Sequence, residues 1–217
     1  MGAITRSVAN NITTGGVILP AGINDASVAS ITELAQVSAG DGITLISSQT
    51  ASASASISFT TGIDSTYRTY LFKFINIHPA SDNPTFGFQA STNGGSSYNE
   101  TMTTTNFRAY HFEGGGEGID YIGGNDQAQG TGFQVICGDV GNGSDESIIG
   151  VLNLFNPSST TFVKHFMSRF EGNTASDYAI DMYTAGYFNT TSAINAISFK
   201  FSVGNIDAGT IHMYGIA

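Results

Sequence analysis

INAISFKFSVGNIDAGTIHMYGI, residues 194–216, decides the fold class. Ile197, Phe199, Phe201 and Val203 are apolar at every second position, with Ser198, Lys200 and Ser202 between them. Successive side chains of a strand point to opposite faces, so the alternation predicts a strand with one buried face and one wet face. Gly204 to Gly209 (GNIDAG) is rich in residues that accept turn conformations. Ile211, Met213 and Gly215 then resume the alternation against Thr210, His212 and Tyr214. The pattern predicts a β-hairpin closing a sheet at the C-terminus.

Working outward, similar short runs recur. GITLISS (42–48) is a strand candidate, followed by the Ala/Ser run ASASASISF (51–59). YRTYLFKFINI (67–77) is the densest aromatic strand, with Tyr70, Phe72 and Phe74 on one face and Leu71, Ile75 and Ile77 assigned to the other. HPASDNP (78–84) reads as a loop, and STNGGSSYN (91–99) as a hairpin turn on Asn93-Gly94. Further strands are expected at 101–111, 133–137, 147–155, 161–170 and 178–187, separated by EGGGEG (113–118), GDVGNGSDES (138–147) and NPSST. Eight to ten strands joined by turns predict an all-β, antiparallel sandwich or jelly roll over residues 43–217.

Residues 1–42 differ. They contain no Phe or Tyr, and only Asp25 and Glu33 are acidic before Asp41. Val28, Ile31 and Leu34 lie three apart, Asp25 can cap, and Ser30 with Glu33 has capping-box spacing, so a short helix is expected near 25–36. Val17-Ile18-Leu19-Pro20 reads as extended. A helix this short is marginal alone in water. The segment is therefore expected to be an arm that orders by packing on something else.

Composition narrows the function. Charged residues are only 11% of the chain, against about a quarter in typical soluble domains. Lys and Arg number 7 and Asp and Glu 17, a net charge of −10. Nucleic acids and anionic membranes are bound chiefly through Lys and Arg, so both are disfavoured as partners. A cationic or uncharged partner fits better. The N-terminus lacks the apolar core of a secretory signal, and no stretch approaches the roughly eighteen apolar residues of a spanning helix. A soluble protein made without export is expected.

No motif carries chemistry. Cys137 is alone, cannot form an internal disulfide, and reads as a small buried side chain. His78, His111, His165 and His212 lack metal-ligand spacing. Glu113/Glu117 and Asp145/Glu146 lie in glycine-rich loops and read as solvated tips, GDVGNGSDE misses the calcium-loop spacing, and GGGEG lacks the Lys of a phosphate loop. Tyr98, Tyr110, Tyr121 and Tyr187 could stack on sugars, although burial is the commoner fate of Tyr. No catalytic residue, cofactor or metal is expected.

Three stretches together carry a resemblance: YLFKFINIHPASDNPTFGFQASTNGGSSYN (70–99), LFNPSSTTFVKHF (154–166) and AGYFNTTSAINAISFKFSVGNIDAGTIHMYGI (185–216). They are similar to a group of virion structural proteins of tailed bacteriophages, particularly marine ones. The likeness covers most of 43–216, and the closing GNIDAGTI-x-x-YGI phrase is its most specific part. The resemblance implies a jelly-roll-like domain on the virus particle and no catalytic residues. The expectation drawn from it is a capsid decoration (cement) protein, a homotrimer whose β-body caps a junction of the shell. Its arm would lie along the major capsid protein or another virion protein through Val17, Ile18, Leu19, Val28, Ile31 and Leu34. The alternative is a tail-fibre or spike module whose loops 78–84, 113–132 and 138–147 bind host glycans.

Overall fold

The computed structural model describes residues 42–217. The arm residues Val17 to Leu34 and the helix expected near 25–36 lie outside the described residues.

Thirteen strands form two antiparallel sheets. In chain order they are β1 (Ile43–Thr50), β2 (Ile57–Phe59), β3 (Thr69–Pro79), β4 (Phe86–Ser91), β5 (Met102–Phe112), β6 (Glu117–Tyr121), β7 (Ala128–Gly130), β8 (Gln134–Cys137), β9 (Ile148–Phe155), β10 (Lys164–Asn173), β11 (Tyr178–Phe188), β12 (Ala196–Phe201) and β13 (Ile206–Ile216). The large sheet has the order β1-β13-β3-β9-β10-β11-β5-β6, with β7 also on β5, and the small sheet has the order β2-β12-β4-β8. Every strand of the small sheet is entered from the large sheet and left to it. No helix among the described residues is long and apolar enough to cross a membrane.

Phenylalanines make the space between the sheets. Phe199 of β12 meets Phe72 and Phe74 of β3 with ring centroids 5.5 and 4.9 Å apart. Phe86 lies 5.9 Å from Phe74, and Phe88 lies 4.9 Å from Phe166 of β10. Most of these pairs are edge-to-face or tilted, the arrangements the ring quadrupole favours. Phe72, Phe74, Phe86, Phe88, Phe166 and Phe199 are all buried. The alternation that predicts each strand is thus the alternation that fills this core, and an all-β sandwich is the result.

Several expectations are corrected. Residues 194–216 do not form a hairpin. β12 pairs with β2 and β4, whereas β13 pairs with β1 and β3. Both edges of each strand are occupied, so residues 202–205 carry the chain from one sheet to the other, and Ile206 to Gly209 of the expected GNIDAG turn already belong to β13. Ser198 is not on a wet face. It is buried and accepts a 2.8 Å hydrogen bond from Ser58. The Asn93-Gly94 turn also crosses between sheets, since β4 pairs with β12 and β8 and β5 pairs with β11. In β3, Ile77 joins the core face instead of the face assigned to Leu71 and Ile75. The cause is a bulge: Asn76 has φ +49° and the register with β9 shifts between Phe74 and Ile77, which resets the alternation. Gly209 of β13 (φ +113°) sits against this bulge, where a Cβ would fall 2.5 Å from the Asn76 carbonyl oxygen. The expected count of eight to ten strands was low because β2, β6 and β7 have only three to five residues each, whereas β8 lies where a strand at 133–137 is expected.

Candidate interaction face

The two sheets differ in what covers their outer sides. The small sheet is wrapped. β4 is buried at all of its residues, and its Gln89 donates from Nε2 to the carbonyls of Glu100, Thr131 and Gly132 in the loops that lie over it. The large sheet is covered on its inner side only. On its outer side the alternate positions stay accessible, including Leu45, Ile149, Met167 and Phe107 at 43–57% exposure.

Register places these residues in rows. His212, Lys73, Val151, Arg169, Tyr183 and Phe107 are cross-strand neighbours from β13 to β5. Directly opposed side chains on one face of a sheet touch, so a row acts as one surface. Its centre is an ordered ladder. Arg169 donates to Asp181 through Nε (2.9 Å to Oδ1) and Nη2 (2.7 Å to Oδ2), and the Tyr183 hydroxyl donates to Asp181 Oδ2 at 3.0 Å. The guanidinium lies 5.2 Å from the Tyr183 ring centroid, and Tyr183 stacks on Phe107 at 4.9 Å with planes 4° apart. The Arg169 hydrogen bonds hold the Asp181 carboxyl below its ordinary range, with the Tyr183 bond adding to them against a partial burial that opposes it. The same carboxylate raises the Arg169 and Tyr183 values.

Shallow grooves flank this ladder. One of about 550 Å³ is lined by Lys73, Ile75, Ile149, Val151, Arg169 and Glu171. Another of about 440 Å³ has Ala109 and Ala179 in its lining, with Glu117, Glu171 and Asp181. Lys73 and Glu171 form no salt bridge among the described residues. The face therefore mixes exposed apolar side chains with a paired Arg169–Asp181 ladder, and carries Lys73 and Glu171 outside any salt bridge among the described residues. Comparison with protein-family models, with curated proteins and with solved structures finds no match to this chain.

The remaining residues singled out in the sequence fall elsewhere. Loops 78–84 and 138–147 come together: Asn83 N–H donates to the Val140 carbonyl at 2.9 Å, and His78 Nε2 lies 3.1 Å from the Gly143 carbonyl oxygen. Segment 113–132 instead runs along β5 and β6. The four tyrosines do not converge. Tyr110 packs against the core, the Tyr98 hydroxyl is buried, Tyr187 lies 6.0 Å from His165, and Tyr121 is exposed with its hydroxyl on Asp126. Glu146 turns back to accept from the Gly143 N–H. Among the described residues, no three His, Cys, Asp or Glu side chains are grouped so as to hold a metal ion. Cys137 is fully buried, and burial first, then the Asp139 and Glu171 charges, push its thiol up to about 12.

Two constellations escaped the sequence reading. One is the Arg169–Asp181–Tyr183 ladder. Its signal was available, because a tight turn at 174–177 (TASD) between β10 and β11 sets Arg169 opposite Tyr183 and Glu171 opposite Asp181. The other is Arg108, which donates to Asp139 at 2.8 Å while the Tyr178 hydroxyl donates to the same carboxylate at 2.7 Å. Burial and the Asp139 hydrogen bond raise Tyr178 to about 12. This cluster ties loop 138–147 to β5 and β11. No local motif announces it, since its members come from three distant strands and loops.

Proposed function

We infer that the protein is a structural component of a bacteriophage virion, a capsid decoration protein that binds the assembled shell and stabilises it. The observation that carries this reading is the open outer side of the large sheet, a broad surface that exposes Leu45, Ile149, Met167 and Phe107 on a chain with 11% charged residues. Several large apolar side chains exposed on one face are what an interaction surface offers. The reading further takes the sandwich as a jelly roll. Support comes from the order β1-β13-β3-β9 facing β2-β12-β4-β8, with β5–β7 and β10–β11 as insertions that widen one sheet. The resemblance of segments 70–99, 154–166 and 185–216 to phage virion proteins points the same way.

In this account the body packs against neighbours through the wide face, and residues 1–42 engage the major capsid protein through Val17, Ile18, Leu19, Val28, Ile31 and Leu34. A ligand that binds the assembled shell and not its loose subunits stabilises each site by about 2.7 kcal/mol at a hundredfold excess over Kd. The reading assigns the chain no reaction and no cofactor. Immunogold labelling of purified virions with an antibody to this chain tests it: label on heads is expected, and unlabelled particles overturn it. Deleting residues 1–40 is expected to lower head occupancy. The second reading, a tail-fibre or spike module for host glycans, draws on the exposed Tyr121 beside Phe107; label on tails together with blocked adsorption favours it.

A further inference from the structure

We propose that the wide face of the large sheet is a two-fold contact between copies of this chain, centred on β9, in which Lys73 of each copy meets Glu171 of the other. The inference rests on reading that face as a contact surface, and adds what lies against it.

An isologous contact needs a patch that complements itself. Around β9 the Lys73–Glu171 pair has that property, and Arg169, which falls near the axis opposite the partner subunit's Arg169, is neutralised by Asp181 of its own chain. Lys73 stands on β3 opposite Val151, and Glu171 stands on β10 opposite Ile149. They lie on either side of β9, displaced from each other by two strand spacings of about 4.8 Å and by about 7 Å along the strands. The midpoint between them falls over Gly150, between Ile149 and Val151. A two-fold axis lying in the face through that point and perpendicular to the Lys73–Glu171 line exchanges the two positions. It sets Lys73 over the partner subunit's Glu171, and Glu171 over the partner subunit's Lys73. The same operation brings Ile75 against the partner subunit's Ile149, so the groove lined by Ile75, Ile149 and Val151 is filled by apolar side chains. Asp181 is already ion-paired with Arg169 and accepts from Tyr183, whereas Glu171 has no salt-bridge partner among the described residues.

Size agrees. Eight strands in the path of the sheet span about 34 Å at 4.8 Å each, and β9, of eight residues, runs about 26 Å. A face of that extent offers on the order of 800 Å², the area each partner contributes to a standard stable interface. The operation crosses the strands of the two copies at about 70°, nearer to orthogonal than to aligned sheet packing.

Sedimentation equilibrium of the purified full-length chain tests the inference. Two chains' mass is expected, whereas the trimer expected from sequence alone has three. Lys73→Glu and Glu171→Lys each put like charges together and are expected to raise the dimer dissociation constant about tenfold or more. The double reversal Lys73→Glu/Glu171→Lys is expected to recover affinity to within about threefold, because the pairs re-form with signs exchanged. Ile149→Arg, a change at an exposed position that leaves the fold intact by circular dichroism, is expected to give monomers. A monomeric or trimeric wild type, single reversals without effect, or a double reversal that adds the two losses overturns the inference. A monomer whose antibody still labels heads sinks the pairing and leaves the virion reading standing; a dimer absent from virions does the reverse.

Discussion

Replacing Phe199 by alanine is the sharpest probe of how the two sheets hold together. Phe199 is fully buried and faces Phe72, Phe74, Phe59, Phe86 and Phe88, with centroids at 5.5, 4.9, 6.4, 6.4 and 6.3 Å. Truncating a buried Phe to Ala costs about 3–5 kcal/mol through lost transfer energy and the cavity left behind. Favourable aromatic pairs add about 0.5–1.5 kcal/mol each beyond buried area. With five aromatic neighbours from both sheets and none able to collapse far, the expected loss is about 4–5 kcal/mol, a large part of the roughly 5–15 kcal/mol that stabilises a domain. Urea unfolding followed by tyrosine fluorescence, which suits a chain with no Trp, measures it. At an m-value of about 2 kcal/mol per molar the midpoint falls by about 2 M, with the slope unchanged. Phe162→Ala is the control, since Phe162 is 68% exposed and surface changes stay within about 0.5 kcal/mol. A Phe199→Ala midpoint that moves no more than that of Phe162→Ala refutes the assignment of the core.

Other outcomes follow from particular sites. Cys137, buried and with its thiol at about 12, is expected to resist iodoacetamide at pH 8 in the folded protein and to react at once in 8 M urea, as read by mass spectrometry; fast labelling of the native chain contradicts its placement. Gly209→Ala, with φ +113° and a Cβ 2.5 Å from the Asn76 carbonyl oxygen, is expected to lower stability by about 1–3 kcal/mol, read as a fall in the urea midpoint. The Asp181 carboxyl is depressed below 3.8 in the folded state, so its stabilisation is present above 3.8 and lost as the pH falls through the lower folded value. Asp181→Asn is accordingly expected to unfold at lower urea than wild type at pH 7, with the difference fading as the pH falls through the depressed folded value and shrinking in high salt.

Strand positions were legible because period-2 alternation reports which side chains are buried. Phe72/Phe74, Phe199/Phe201 and Ile180/Met182 all face inward as that alternation requires. Strand partners were not legible, because the same alternation says nothing about which edge a strand pairs with. Residues 194–216 show this: a turn-like GNIDAG between two alternating runs suits a hairpin and a sheet-to-sheet crossover equally. Ile77 was misplaced because one left-handed residue, Asn76, advances the alternation by a step, and Asn tolerates that conformation without leaving a pattern. Ser198 was misplaced because polar composition predicts solvent, whereas here loops close over the small sheet and hydroxyls pair beneath them. The wide face itself was partly readable. Its low charge and scattered apolar residues stand in the composition, but their merging into rows requires the register of seven strand pairs.

Electron cryo-microscopy of the assembled virion tests the central claim most directly. The account predicts density for residues 42–217 on the particle with Ile149, Met167 and Phe107 buried against a neighbouring protein chain. A map in which the wide face of the large sheet looks out on solvent contradicts it.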